Sequence, residues 1–421
     1  MQAMPPLFLT ALTIVSAMGR GTAATRDALL ARRSGLRPCD FAGVAFGHVG
    51  RVDALEGHVL PAALRRFDCR NHRLADLALR TDGFAEAVAA ARARHGAGRV
   101  AVVLGSSTSG VLSTEEAYRA RDPATGALPG WFDYAHTHDM GALARFVRAA
   151  LDLAGPAFVV SAACASSAAS FAEAQQLIAA GVCDAAVVGG ADSLCRMTLR
   201  GFAALELISP DPCRPCAADR AGLSIGEAAG FALLERDPAP GGAAGGAAGG
   251  PAGGPAGGPA GGPTSGGGVA LLGTGASSDG HHMSAPHPEG AGAAAAMRAA
   301  LAAAGLDPAD IDYVNLHGTG TPANDAMEDA AVRAVFGTAT PCSSTKGWSG
   351  HALGAAGILE AAIAAICLRE GLLPGCLGIE AADPALGAAI LIDNRRAPVR
   401  RVMSNSFGFG GINSCLILGT A

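Results

Sequence analysis

From Gly241 the chain runs through six consecutive tetrads, GGAA, GGAA, GGPA, GGPA, GGPA and GGPT, a composition that supplies no core. Glycine, alanine and proline in that order bury little apolar area and leave the chain its conformational entropy, so the run reads as a flexible surface loop. It divides the 421 residues into a half at 1–238, an insertion at 239–267 and a half at 268–421. Short apolar runs alternate with helically spaced segments in both halves, which predicts a doubled α/β layout.

In the first half, Pro6 to Ser16 reads as a strand and Thr22 to Arg33 as a helix capped near Thr22 and Thr25. Arg65 to Arg73 opens a long helical pattern that continues through Leu74, Leu77, Ala78, Ala85 and Val88, with its basic residues expected in solvent. Val100 to Gly105 is a compact strand followed by a flexible run, Ser106 to Gly110, and Met140 to Leu153 is helical. Phe158-Val159-Val160 then reads as a buried strand that delivers Cys164 among small residues, with a helical pattern from Ala165 to Cys183. At that junction Cys164 meets the unpaired N–H groups and positive end of a helix, which favours the thiolate. A free cysteine is more often a core residue, so the assignment depends on what stands further along.

Past the tetrads, Val269 to Leu272 resumes the fold, Gly290 to Ala304 is a helix ending at Gly305, and Ile311 to Leu316 is a strand that reaches His317. The last strand, Arg401 to Ser404, runs into a glycine-rich turn. Half the residues are hydrophobic, 16% are charged and the net charge is −5, which gives no electrostatic reason to expect a nucleic-acid partner. Met1 to Val15 is apolar but short and lacks a basic flank, so neither a signal peptide nor a membrane span is expected. Eleven cysteines without dense regular spacing point to a reducing cytoplasm, and Cys213-x-x-Cys216, with no second pair at metal spacing, reads as a loop.

Three segments of the second half complete a pattern with Cys164. They are Asn315-Leu316-His317-Gly318-Thr319-Gly320-Thr321-Pro322, Ser344-Thr345-Lys346 followed by Gly350-His351-Ala352-Leu353-Gly354, and Ser404-Asn405-Ser406-Phe407-Gly408-Phe409-Gly410-Gly411. Over nearly the whole chain apart from the tetrads, this resembles the β-ketoacyl-acyl carrier protein synthases of the thiolase superfamily. Arg66-Phe67-Asp68-Cys69-Arg70-Asn71 and the Thr108-Ser109-Gly110 loop are similar to the subgroup that builds aryl polyenes.

The resemblance implies a thiolase-like duplicated fold, five-layered αβαβα, with the Gly/Ala/Pro insertion on its surface. The implied reaction is a decarboxylating Claisen condensation of an acyl thioester held on Cys164 with malonyl-acyl carrier protein, in fatty acid or aryl polyene elongation. Neutral His317 and His351 would donate to the malonyl thioester oxygen, and the backbone N–H groups of Cys164 and Phe409 would form an oxyanion hole. Lys346 is implied to be an electrostatic organiser paired with Glu328, in preference to a proton carrier. Phe407 and Phe409 read either as core or as a gate at the nucleophile. Thr319 and Thr321 read either as turn residues or as hydroxyls that hold the phosphopantetheine arm.

Asn315, Glu360, Ser404 and Asn405 match positions around a monovalent cation, Na+ or K+, or they simply hydrogen-bond between turns. No other cofactor is implied. Arg65, Arg66 and Arg214 match positions that meet the acidic carrier protein, Thr108 matches the end of the acyl pocket, and Cys216 departs from an aromatic residue usual in the family. The implied assembly is a homodimer or a heterodimer with a ketosynthase-like paralogue. Two other readings are a non-elongating chain-length-factor-like partner and a CoA-dependent thiolase. The first is disfavoured because Cys164, His317 and His351 are all present, and the second because the C-terminal glycine-rich motif differs.

Overall fold

The computed structural model describes residues 5–41, 43–237 and 268–420, so the tetrad insertion lies outside the described residues. In the first half the large sheet takes β1 (Leu7–Ser16), β2 (Val100–Gly105), β3 (Ala157–Val160), β4 (Ala185–Asp192) and β5 (Ala228–Glu235). The second half contributes β6 (Val269–Ser278), β7 (Tyr313–Asn315), β8 (Pro341–Ser343), β9 (Arg401–Gly408) and β10 (Ile412–Thr420). The order is β3-β2-β4-β5-β1 and then β6-β10-β9-β7-β8, one half the image of the other. In each half the two strands nearest the seam pair antiparallel and the outer three run parallel, so the hydrogen-bond pattern is duplicated with the order. At the seam β1 meets β6 through Leu7 with Leu271 and Phe8 with Ala270.

Helices supply the layers. Along the chain α1 (Thr22–Leu30) precedes α2 (Arg70–Leu79), α3 (Phe84–His95) and α4 (Ala142–Ala150), and the last three cover the outer face of the first half-sheet. Next come α5 (Ser166–Ala179), α6 (Ala291–Ala304), α7 (Pro322–Phe336) and α8 (Ala356–Glu370). α6 and α7 cover the second half-sheet, while α5 and α8 lie between the two half-sheets. α8 is buried from Ala356 to Leu368, as a helix with apolar neighbours on every side must be. Its Ile358, Ile363 and Ile366 join Phe171, Val188, Leu416 and Leu418 in one central core fed by both halves. The sequence of layers is αβαβα.

Local outcomes differ from the sequence reading where distant partners intervene. The first turn of α1 is capped by the Asp82 carboxylate, which accepts the Thr22 N–H at 3.0 Å; neither Thr22 nor Thr25 caps it. The long helix expected from Arg65 is three pieces, a 3-10 stretch Ala62–Phe67, then α2 and α3, broken at Asp82 and Gly83, both of which take left-handed φ. Not all of its basic residues are solvated, since Arg70 is held by the fully buried Glu227 at 2.7 Å. β3 is only half-buried because it is an edge strand. The run Ser106 to Gly110 is not a loose loop but a buried corner.

Candidate active site

The chemistry-bearing segments all follow the carboxyl ends of parallel strands, where such sheets leave room for a ligand. Cys164 lies between β3 and α5 on a strained turn, with Ala163 at φ 48°, a region that costs a residue bearing a Cβ about 1–2 kcal/mol. Ser166 fixes that turn: its Oγ accepts the Ala162 N–H at 2.9 Å and donates to the Ala163 carbonyl at 2.5 Å.

His317 follows β7. Its backbone N–H and that of Gly318 both donate to Glu328 on α7, at 2.8 and 2.7 Å, and the Asn405 amide donates to the same carboxylate at 3.0 Å. His351 is held through its main chain by a small sheet of Leu36–Pro38, His48–Gly50 and Ile225–Gly226. The His351 N–H donates to the Ser224 carbonyl at 2.7 Å and its carbonyl accepts the Gly226 N–H at 2.9 Å. The result brings His351 Nε2 to 3.0 Å from Cys164 Sγ, with the two imidazole rings 5.2 Å apart and near perpendicular.

Lys346 is buried, and its ammonium donates to the His317 carbonyl and to Glu360. Glu360, on α8, is therefore the lysine's partner in place of Glu328, whose oxygens are taken by backbone N–H groups. Burial pushes both carboxyls up to about 7. Both His317 and His351 are driven well below the usual imidazole range by burial first and by the Lys346 ammonium second. They are neutral at physiological pH.

The same burial pushes the Cys164 thiol up to about 12, against the pull of Lys346 and of a hydrogen bond from the Phe409 backbone. The expected resting thiolate is thus overturned. The helix end is outweighed by desolvation, and the sulfur keeps its proton until an acceptor takes it.

A cavity of about 200 Å³ joins these groups, lined by Cys164, His317, His351, Thr319, Thr321, Phe407 and Phe409. The two threonine hydroxyls are 2.9 Å apart. Phe407 lies 5.8 Å from the His317 ring, and Phe409 stacks on Phe202 at 5.4 Å. Phe202, Asn324 and Met327 also line the cavity, and no motif marked them in the sequence. A segment beginning at Asp279 reaches it too, tied to the Phe407–Phe409 turn through Gly410 N–H to the Met283 carbonyl at 2.7 Å.

Thr108 does not line this cavity. It is buried, with its hydroxyl 2.8 Å from Asp192. Arg65 and Arg66 are exposed and line a separate surface groove with Trp131 and Glu116, while Arg214 pairs with Asp219 at 2.7 Å. The cysteines are all free, and the Cys213 thiol donates to the Lys346 carbonyl at 3.3 Å. Among the described residues no cluster of histidine, cysteine and carboxylate is arranged to hold a metal ion. No described helix is long and apolar enough to cross a membrane.

A duplicated αβαβα fold with a cysteine and two neutral histidines at the sheet ends defines a thiolase-fold condensing enzyme. The chain belongs to the β-ketoacyl synthase family: residues 9–239 match its N-terminal domain and residues 269–380 its C-terminal domain. It is 35% identical to nodulation protein E of Rhizobium sp. (strain N33) over 324 residues, 76% of this chain and 75% of that one. Its identity to 3-oxoacyl-[acyl-carrier-protein] synthase 2 of Rhizobium meliloti (strain 1021) is also 35%, over 75% and 73% of the two chains. Among solved structures it matches a ketosynthase (ApeO) in complex with its chain length factor (ApeC) from Xenorhabdus doucetiae. That match has a TM-score of 0.84 and 38% identity over 99% of this chain and 98% of that one. The protein is an acyltransferase that carries out the condensation step of fatty acid or polyketide chain elongation.

Proposed function

We propose that Cys164 carries the growing acyl chain and that His351 moves its proton. The observation that carries this is the 3.0 Å approach of His351 Nε2 to a thiol that burial keeps protonated. As Sγ attacks the thioester carbonyl, its proton passes to His351 and then to the departing phosphopantetheine sulfur, while the Cys164 and Phe409 N–H groups receive the oxyanion. In the second half-reaction the electron pair of the malonyl C–CO2 bond forms an enolate. CO2 departs, and His317 and His351, as neutral donors, stabilise the enolate until its carbon attacks the Cys164 acyl carbonyl; the sulfur then leaves and takes up a proton from solvent to restore the thiol. Thr319 and Thr321, facing each other in the cavity wall, hold the phosphopantetheine arm, and Phe409 gates the nucleophile.

The substrates are acyl and malonyl groups on an acyl carrier protein that docks through Arg65, Arg66 and Arg214. The likeness to a ketosynthase in complex with its chain length factor favours a heterodimer with a ketosynthase-like paralogue and a polyene-type product, in the cytoplasm. Glu360 Oε2, Ser404 Oγ and the Asn315 amide are buried without a partner, and oxygens of this kind fit a monovalent cation, Na+ or K+, which Asn405 would help enclose. Bound there, the cation would balance the buried carboxylate beside Lys346. Mass spectrometry of the protein after incubation with a panel of acyl carriers tests the reading. The acyl mass is expected on Cys164 alone, and an acyl-enzyme that persists in Cys164→Ala overturns it.

A further inference from the structure

Asp192 ends β4, buried, and its carboxylate collects donors from two separate corners of the site. From the corner after β2 come the hydroxyls of Ser106 at 2.7 Å, Ser107 at 2.6 Å and Thr108 at 2.8 Å, with the Ser107 and Thr108 N–H groups at 3.0 Å each. From the turn that leaves His351 comes the Gly354 N–H at 2.6 Å. A carboxylate offers about four lone-pair directions, so this one is saturated. Among the described residues no cation pairs with it.

Both corners are strained. Ser109 takes φ 47° and Leu353 φ 51°, conformations that persist only where the surroundings over-determine them. The packing leaves no slack, since a Cβ on Gly354 would stand 2.7 Å from Asp192 Oδ2 and 2.8 Å from the Ser107 nitrogen. Leu353 is two residues beyond His351, whose own backbone is held on the other side by Ser224 and Gly226. The turn is thus gripped at both ends, and Asp192 is the grip on the far side.

We infer that Asp192 is a positioning residue that sets His351 against Cys164, by clamping the His351–Gly354 turn to the buried corner Ser106–Thr108. It does not line the cavity and touches no substrate. Its effect therefore belongs to kcat, because an imidazole displaced by an ångström costs roughly 10²-fold in rate while the carrier-protein surface is unchanged.

The inference rests on the role assigned to His351, and a double-mutant cycle in the full-length protein separates the two. Asp192→Asn keeps the shape but offers fewer acceptor sites and adds an amide donor that faces other donors. It is expected to lower kcat for malonyl decarboxylation, and with it for condensation, about 10²-fold with KM for the acyl carrier unchanged. In a His351→Ala background the same change is expected to cost less than about twofold in residual malonyl decarboxylation, because the group it positions is gone. A fully active His351→Ala overturns the assignment of His351. An inactive His351→Ala in which Asp192→Asn costs its full factor again, or Asp192→Asn alone with wild-type kcat or a raised KM, overturns the clamp. Should Asp192→Asn fail to fold, Ser106→Ala and Thr108→Val, each removing one hydroxyl from the carboxylate, run the same cycle. Smaller losses that vanish without His351 are expected, and additive losses overturn the proposal.

Discussion

The two halves share strand order and open at the same sheet end, yet they are loaded with different chemistry. The first half puts one reacting group there, Cys164, in a frame of Ala162, Ala163 and Ala165. Its other two corners, Ser106–Ser109 after β2 and Asp192 at the end of β4, bind each other. In the second half the equivalent corners carry His317 after β7 and Phe407 at the end of β9, and the turn after β8 carries Lys346 and His351. Duplication thus fixes where loops emerge and says nothing about which of them face the substrate. It also sets the neutral Cys164 thiol among charges from both halves: Lys346 and the opposing carboxylate of Glu360 act on it across the seam, and the carboxylate of Asp192 acts from within its own half.

Exchanging the nucleophile breaks the comparison most severely. Cys164→Gln should abolish condensation and retain CO2 release from malonyl-carrier, since decarboxylation draws only on the second half; parallel loss of both activities would show that the nucleophile is needed for both. Next, His317→Ala and His351→Ala should each slow decarboxylation by about 10²–10³-fold, the usual loss of one oxyanion donor. Only His351→Ala should also slow acylation of Cys164, read by intact-mass kinetics.

Lys346→Met removes one member of a buried pair and should cost about 3–5 kcal/mol in denaturant unfolding. Its pH signature has a definite sign. Burial holds the Cys164 thiol near 12, so iodoacetamide labelling should still be rising above pH 9, and deletion of the cation that pulls this value down should move the profile higher still. A plateau near pH 8.5 would contradict the burial argument. Smallest is the effect of reversing Arg65 and Arg66 to glutamate, expected to raise KM for acyl carrier up to about tenfold and leave small thioester substrates alone.

The alternation of strands and helices and the junction before Cys164 were legible in the sequence because apolar periodicity and local glycine turns encode them. Cys164, His317 and His351 converge as the motifs imply, and Thr319, Thr321, Phe407 and Phe409 line the same cavity. What the sequence hid depends on contacts between distant residues. Glu328 and Glu360 look alike as isolated carboxylates, and only the packing of α8 gives Lys346 to the second. The thiolate expectation followed from a local helix end, whereas the cost of burial comes from the whole fold. The serine-rich corner looked flexible because nothing within it announces Asp192, about 85 residues away, as its acceptor.

One consequence lies at the seam. Phe8 of β1 is flanked on one side by Glu235, the last residue of β5, and on the other by Ala270 at the start of β6; Val269 pairs in turn with Thr420 at the end of β10. The beginning of the first strand, the end of the last, and both edges of the stretch 238–267 therefore converge on one corner of the sheet, far along the strands from the carboxyl ends that carry the chemistry. Each half enters and leaves the molecule by the same door. A chain cut within 239–267, or rejoined there in a new order, would keep every strand neighbour it has, which makes that corner the natural place to divide this enzyme into two separately made pieces or to graft a second domain onto it.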